Sequence, residues 1–486
     1  MPKLFLNGKP FDAPEGSTVL EAARASGLDI PCFCWHEKLS VAGSCRLCVV
    51  ESEEGGWLDI ACNMSVADGM RVLTDSPKVR EHRATMLEFL TLNHPVDCGI
   101  CDKAGECTLQ DYHFEYNGAK RESVDAKVHF RKWVQLNDRV MIDNERCIQC
   151  TRCVRFTAEI SKSAGLSIVG RGDHAYIRAA ENGAFATDAY SENVVDLCPV
   201  GALQSRAFLY RSRVWYLAPT PSVCPSCERG CGIDLWHRKP EWKLHAVNVE
   251  ANDEIVRVTP RANAAVNGPW MCDKGRDLPQ IFDRARAAQP MVEGKPVSLD
   301  AAIATARERF SRAHSPLALV SSWGSNEELR AFAATLGDRC TVRIKVDNHP
   351  APGEVVDDDL LIRPDKNPNT AGARAVFPNA KLWSPHGSDA GISPTHDLVL
   401  AWGEGFDVRS LPSHVPVILL RAHEHEENVR ATVFIPISLQ TERRGTYTNF
   451  AGQVSAFEAC FAPRPGVADA ESLFPALANA SVEVTA

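Results

Sequence analysis

Sixteen of the eighteen cysteines lie before residue 273, in tight sets separated by long gaps. The first set is Cys34, Cys45, Cys48 and Cys62. The second is Cys98, Cys101 and Cys107, close behind His94. The third is Cys147, Cys150, Cys153 and a remote Cys198 that precedes a proline. The fourth is Cys224, Cys227, Cys231 and a remote Cys272. Disulfide frameworks suit small secreted domains, whereas this chain has 486 residues and no basic n-region before an apolar stretch at its start. Grouped thiols in that setting read as metal ligands. Fifteen cysteines enter the sets, which leaves Cys32, Cys340 and Cys460 as reduced thiols.

Spacing separates the kinds of site. A long gap, a tight pair and a distant fourth cysteine resemble the plant-type ferredoxin arrangement for a [2Fe–2S] cluster, although the first gap is longer here. The third set has the C-x2-C-x2-C run and remote Cys-Pro of a bacterial ferredoxin [4Fe–4S] site, and with one full run present Cys198 most simply closes the same cluster. The fourth set, on spacing alone, suits either a [4Fe–4S] cluster or zinc. The second set is one thiolate short. His94 is either its fourth ligand or an ordinary loop histidine, and spacing alone leaves both readings open. A zinc-stapled scaffold is the alternative for the whole series.

The flanking sequence predicts five segments. Residues 1–77 read as a hairpin turning at Asn7-Gly8, then a helix with a Thr18-x-x-Glu21 capping box and a Gly27 stop, which fits a small β-grasp domain. Residues 78–120 take in most of a helix predicted over 76–93, capped by Ser76, with an apolar stripe of Val79, Met86, Leu87 and Leu90. It ends at Asn93-His94-Pro95, because the residue before proline is pushed out of helical geometry. Residues 121–216 and 217–273 carry the third and fourth sets. In 274–486 the apolar runs 316–322, 397–403, 416–422 and 432–438, with a helix over 325–337, predict a parallel α/β layer, and 348–370 reads as a loop.

Four sets in this order resemble the large iron–sulfur subunit of respiratory NADH–quinone oxidoreductase (complex I). The stretches that carry the resemblance are "PCFCWHEKLSVAGSCRLCVVE", "NHPVDCGICDKAGECTLQD", "RCIQCTRCVRF", "DLCPVGAL" and "CPSCERGCG". It implies a multidomain α+β and α/β chain. Its N-terminus would be a β-grasp [2Fe–2S] ferredoxin domain, followed by His/Cys3 and ferredoxin-like [4Fe–4S] domains. It implies a [2Fe–2S] cluster on Cys34, Cys45, Cys48 and Cys62, and [4Fe–4S] clusters on His94, Cys98, Cys101 and Cys107 and on Cys147, Cys150, Cys153 and Cys198. An extra [4Fe–4S] cluster of some bacterial members would sit on Cys224, Cys227, Cys231 and Cys272. Electrons would come from NADH through flavin on a partner subunit and leave toward quinone through other hydrophilic and membrane subunits. The chain would be peripheral, on the cytoplasmic side of the bacterial inner membrane.

Residues 274–486 resemble a shortened molybdopterin-oxidoreductase-like α/β domain, through "LIRPDKNPNTAGA" and "TERRGTYTNFAGQVSAF". Too little chain follows Cys272 to enclose a pterin, so a structural remnant without molybdenum is expected, with the charges of "TERRGTYTN" as loop chemistry. The net charge of −9 argues against a nucleic-acid partner, and no apolar run is long enough to cross a bilayer. "GRGDHAYI" lacks the spacing of a dinucleotide fingerprint. The competing functional reading is the diaphorase-side subunit of a soluble NAD-linked hydrogenase or formate dehydrogenase.

Overall fold

In a computed structural model of the protein, Asn7 and Gly8 both take left-handed backbone (φ 52° and 77°). They turn β1 (Lys3–Leu6) back onto β2 (Lys9–Asp12) with Leu6 opposite Lys9, the two-residue hairpin the sequence predicts. The structure describes residues 1–116, 124, 126–243, 252–346, 353–384, 395–406 and 414–478. They divide into two compact units, Met1–Trp215 and Tyr216–Ala486.

In the first unit, α1 (Val19–Ala25) starts at Thr18, whose side chain accepts from the Glu21 amide while Glu21 reaches back to the Thr18 amide. With β3 (Val49–Ser52), β4 (Leu58–Ile60) and β5 (Arg71–Leu73), the hairpin forms a mixed sheet in the order β2-β1-β5-β3-β4. Leu4, Leu6, Val19, Leu20, Val50 and Val72 are buried between sheet and helix, a β-grasp arrangement. Ser76 caps α2 (Pro77–Thr91) by accepting from the Val79 amide.

The buried face of α2 differs from the predicted stripe. Val79 and Leu87 are buried, but Arg83 lies between them and Met86 and Leu90 are only half-buried. The reason is local: Arg83 Nη2 donates to the carbonyls of Val49 (3.1 Å) and Thr74 (2.8 Å) beneath the helix, and buried backbone carbonyls need donors. The chain then enters the second cysteine loop and α3 (Thr108–Tyr116). Further on, Val140–Ile142 is the central strand of a three-stranded sheet, and α4 (Arg152–Glu159) packs near the hairpin Leu166–Val169/Tyr176–Ala179.

The second unit opens with a three-stranded antiparallel sheet, Leu217–Val223, Gly232–Arg238 and Ile255–Pro260. Its larger sheet has six parallel strands: Pro316–Val320, Thr341–Lys345, Lys381–Trp383, Leu398–Trp402, Val417–Arg421 and Val433–Pro436. Across the sheet the last three lie on one side of Pro316–Val320 and the next two on the other, the doubly wound order. All four apolar runs form strands, and the predicted helix spans Asn326–Leu336 with a Ser325/Glu328 capping box. Alternate strand residues face opposite ways: Ala318, Leu400, Ile418 and Ile435 join one core, Leu319, Val399, Leu419 and Phe434 the other. Of the stretch 348–370, positions 348–352 lie outside the described residues, and the rest up to 369 has no helix or strand.

The reading of "TERRGTYTN" as loop chemistry is corrected by the structure. Gly445–Thr448 is a strand paired with Val454–Phe457. Glu442 forms a buried ion pair with Arg286 (2.5 Å), and the half-buried Arg443 pairs with the buried Glu328. Each charge has its own partner across the unit, which buried charges require.

Candidate metal centres

The first cysteine set is arranged as two pairs. The side chains of Cys34 and Cys45 share a hydrogen bond, and so do those of Cys48 and Cys62. A [2Fe–2S] cluster has two irons with two protein ligands each, so this pairing fits it. The Cys45 thiol, outweighing burial, holds Cys34 down to about 5. Cys32 is engaged elsewhere: Arg24 Nη2 donates to its Sγ at 3.3 Å, and burial pushes the thiol up to about 11. Arg46, between Cys45 and Cys48, takes left-handed backbone (φ 54°) despite carrying a side chain.

In the third set Cys147, Cys150, Cys153 and Cys198 line one small cavity with Ile142 and Ile177. Gln149 and Thr151 are also left-handed (φ 52° and 63°), which turns amides toward sulfur. Gln149 N–H donates to Cys147 Sγ at 3.4 Å, and the Arg152 amide bonds to Cys150. Burial pushes Cys150 up to about 11, with the charge of Cys198 adding to the rise. Buried thiols that raise one another need a cation to ionise, and amide-to-sulfur bonds are a recurring means of tuning iron–sulfur clusters.

The second set is built where α2 ends and α3 begins. His94, Cys98, Cys101, Cys107, Arg146 and Gly201 line its cavity. The Leu109 and Gln110 amides at the start of α3 bond to Cys107, and the Lys103 amide to Cys101. His94 Nδ1 is buried with no hydrogen-bond partner. Burial, with Lys127 and Arg146 nearby, lowers the imidazole to about 4, so it is neutral and keeps a lone pair. A buried, unpartnered imidazole nitrogen beside three thiols fits a fourth ligand position. Among the described residues no three such side chains converge on a single metal ion, whereas a cluster distributes its ligands over several irons.

Four links join these sets, and cysteine spacing alone indicates none of them. Arg155, on α4, donates to the carbonyls of Cys34 and, at 3.3 Å, Cys150. Arg152 donates to Trp35 O (2.7 Å) and Leu197 O (3.3 Å), so the helix of the third set grips the loop of the first. On its other side the third set meets the second. A Cβ on Gly201, three residues after Cys198, would lie 2.0 Å from Cys101 Sγ, so only glycine fits there. Thr108 Oγ1 also donates to Pro199 O at 3.2 Å. The spatial order is first, third, second. The signal available in sequence was the arginines of "CTRCVR" and the glycine of "CPVG".

The fourth set lies in the second unit, and all four of its cysteines are buried. Cys224 N–H donates to Cys231 O at 2.8 Å, the Ser226 and Arg229 amides bond to Cys224 and Cys227, and burial pushes Cys224 up to about 11. A Cβ on Gly275 would press on Met271 (2.8 Å) and Cys224 Sγ (3.2 Å). The loop packs on both stretches that resemble molybdopterin oxidoreductases: Glu228 N–H donates to Asp365 O (2.9 Å) and Phe450 N–H to Glu228 O (3.1 Å). At the switch point of the large sheet, where doubly wound folds bind ligands, two glycines lie in close contact with neighbouring side chains. A Cβ on Gly324 would lie 2.2 Å from the Trp402 ring, and one on Gly403 2.7 Å from Ser321 Oγ.

Four family models match successive parts of the chain. They are a 2Fe-2S iron-sulfur cluster binding domain (residues 3–77), the NADH-ubiquinone oxidoreductase-G iron-sulfur binding region (83–121), the NADH-quinone oxidoreductase subunit 3 ferredoxin-like domain (137–204) and the molybdopterin oxidoreductase Fe4S4 domain (217–284). The chain is 37% identical over 298 residues to NADH dehydrogenase [ubiquinone] iron-sulfur protein 1, mitochondrial, of Solanum tuberosum, covering 60% of this chain and 38% of that one. It is 38% identical over 295 residues to the NADH-ubiquinone oxidoreductase 75 kDa subunit of Reclinomonas americana, covering 60% and 40%. A solved NAD+-reducing [NiFe]-hydrogenase chain shares 30% identity over 44% of this chain and 91% of its own, with a TM-score of 0.40. The chain thus spans about two fifths of the length of the curated relatives it matches. Over the region of these matches it is a homologue of the large iron–sulfur subunit of NADH–quinone oxidoreductases.

Proposed function

We propose that this chain is an electron-carrying subunit of an NADH–quinone oxidoreductase. The [2Fe–2S] cluster belongs to Cys34, Cys45, Cys48 and Cys62. The [4Fe–4S] clusters belong to His94 with Cys98, Cys101 and Cys107, to Cys147, Cys150, Cys153 and Cys198, and to Cys224, Cys227, Cys231 and Cys272. When bound, such clusters accept and release single electrons. The observation that carries the reading is the continuity of three ligand sets, gripped in the order first, third, second by Arg155, Arg152, Gly201 and Thr108.

The residues of this chain supply position, burial and polarity. Arg155 fixes the backbone of a first-set and a third-set ligand at once, so the spacing of those sets cannot drift. Amides at Lys103, Leu109, Gln149 and Arg152 favour thiolate over thiol. In this reading a flavin-bearing partner oxidises NADH, and other subunits carry electrons to quinone. The five segments 1–77, 78–120, 121–216, 217–273 and 274–486 are the functional divisions, the last without a cofactor. No described helix is long and apolar enough to cross a membrane, and we assign the chain to the cytoplasmic face of the bacterial inner membrane, attached through partners.

Metal and sulfide analysis of the anaerobically purified chain tests this. The expected result is about 14 iron atoms per chain with matching acid-labile sulfide, and co-purification with a flavin-bearing NADH-oxidising partner. Stoichiometric zinc with little sulfide contradicts the clusters. Co-purification with a hydrogenase or formate dehydrogenase catalytic subunit contradicts the assigned complex.

A further inference from the structure

Arg146 immediately precedes Cys147 of the third set, yet it lines the cavity of the second, where its charge acts on Cys101 and His94. The residue is 1% exposed. Asp97 holds Nη2 at 3.0 Å and Nε at 3.3 Å, Asp143 lies 3.2 Å from Nε, and the charge sits 5.1 Å from the centre of the Trp133 ring. Lys132 closes the network, 2.8 Å from Asp97 and 2.9 Å from Glu145. Held on these sides, Arg146 keeps one buried atom, Nη1, without a hydrogen-bond partner. A buried donor is costly to leave unmade, and this one belongs to a cation fixed beside Cys101 and His94.

We propose that Arg146 sets the reduction potential of the cluster on His94, Cys98, Cys101 and Cys107, and so biases electrons toward it from the Cys147 set. The proposal rests on the ligand assignment made above. A fixed positive charge stabilises the reduced, more negative state of the site it faces. With clusters bound, the Cys147 set would hold the electron donor and the His94 set the acceptor of a single electron, and no bond would be made or broken. Asp143 is the counterweight: it is fully buried, and its negative charge opposes that of Arg146. At an effective dielectric of about 20, a unit charge ~10 Å away shifts such an equilibrium about tenfold.

The test is an EPR-monitored redox titration of the full-length chain, loaded with its clusters under anaerobic conditions. Arg146→Gln is expected to lower the His94-cluster potential so that electron sharing with the [2Fe–2S] cluster shifts about tenfold, ~59 mV for one electron. Asp143→Asn shifts it the opposite way, Arg146→Lys keeps most of the original value, and the double variant Arg146→Gln/Asp143→Asn returns close to it. An unchanged potential in Arg146→Gln with full iron content overturns the proposal, as does an equal shift in every cluster. If Arg146→Gln fails to load, a potential in Asp143→Asn that does not rise overturns it. A missing His94-cluster signal in the unsubstituted chain overturns the ligand assignment instead, and the proposal with it.

Discussion

The largest fully buried side chains of residues 1–215 include Arg83 and Arg146 with Phe33, Phe156 and Phe185, whereas residues 216–478 bury Phe310, Phe332, Phe434 and Phe474 beside a parallel sheet, with Arg421 as the buried guanidinium of the same class. The β-grasp part of the first unit has a continuous apolar core, and further along the unit Phe156, Ile177, Phe185, Val194 and Leu203 are also buried. Beyond residue 76 its loops are held by guanidinium groups that donate to carbonyls: Arg83 to Val49 and Thr74, Arg152 to Trp35, Arg155 to Cys34, Arg213 to Cys101. Beside the apolar residues that line the third set, such as Ile142, Ile177 and Leu203, these charged hydrogen bonds, stronger than neutral ones, tie the loops together. The second unit carries its cysteine set beside an independent α/β core. One region places three cysteine sets in succession, and the other carries one set beside a large parallel sheet.

Removing iron should expose this difference most strongly. In hydrogen exchange of chelator-treated protein, amides of the cysteine loops in 94–107 and 147–153 should exchange at least ~100-fold faster, because metal binding and folding are coupled in such loops. Strand amides in 316–320, 398–402 and 417–421 should keep their protection. Equal loss in both units would break the comparison. The converse substitution is Phe332→Ala, which removes a ring packed 5.3 Å from Trp402 and 4.5 Å from Phe474. It should cost the second unit about 3–5 kcal/mol in denaturant unfolding, while the EPR signals of the first three clusters stay unchanged. Arg155→Met, which removes the bonds to Cys34 O and Cys150 O, should cost the first unit about 2–3 kcal/mol and leave unfolding of the second unaltered.

The smallest effect concerns pH. Burial raises Asp397, but the amides of His314 (2.6 Å) and Ser315 (3.0 Å) outweigh it and hold the carboxyl below its usual value. A depressed folded-state pKa contributes stability above the unfolded value, lost as pH falls through the folded one. Asp397 is exposed, so Asp397→Asn should cost well under ~1 kcal/mol at pH 7, and the difference from the original protein should shrink and vanish as pH falls through the depressed folded-state pKa of the carboxyl.

The fold was legible where it is local. Capping residues at Thr18, Ser76 and Ser325 start helices at the expected positions, and four apolar runs became strands of one sheet. The stripe on α2 differs because periodicity ranks Met86 above Arg83, whereas the carbonyls of Val49 and Thr74 required a donor. Cysteine spacing identified the four sets. It carried no trace of their spatial order, since Arg155 and Cys34 are 121 positions apart and Arg146 and Asp97 are 49 apart. Beside the arginines of "CTRCVR" and the glycine of "CPVG", Asp97 and Arg146 were a clue, since each directly precedes a cysteine of a different set and they carry opposite charges.

His94 is the residue on which the account of the first unit depends, because without it the second set is a ligand short. Pulsed EPR on the reduced full-length chain, with histidine labelled by nitrogen-15, tests that directly. The account predicts a strong nitrogen-15 coupling on one [4Fe–4S] signal, lost in His94→Ala. Absence of that coupling from every cluster signal, or its persistence in His94→Ala, would contradict it.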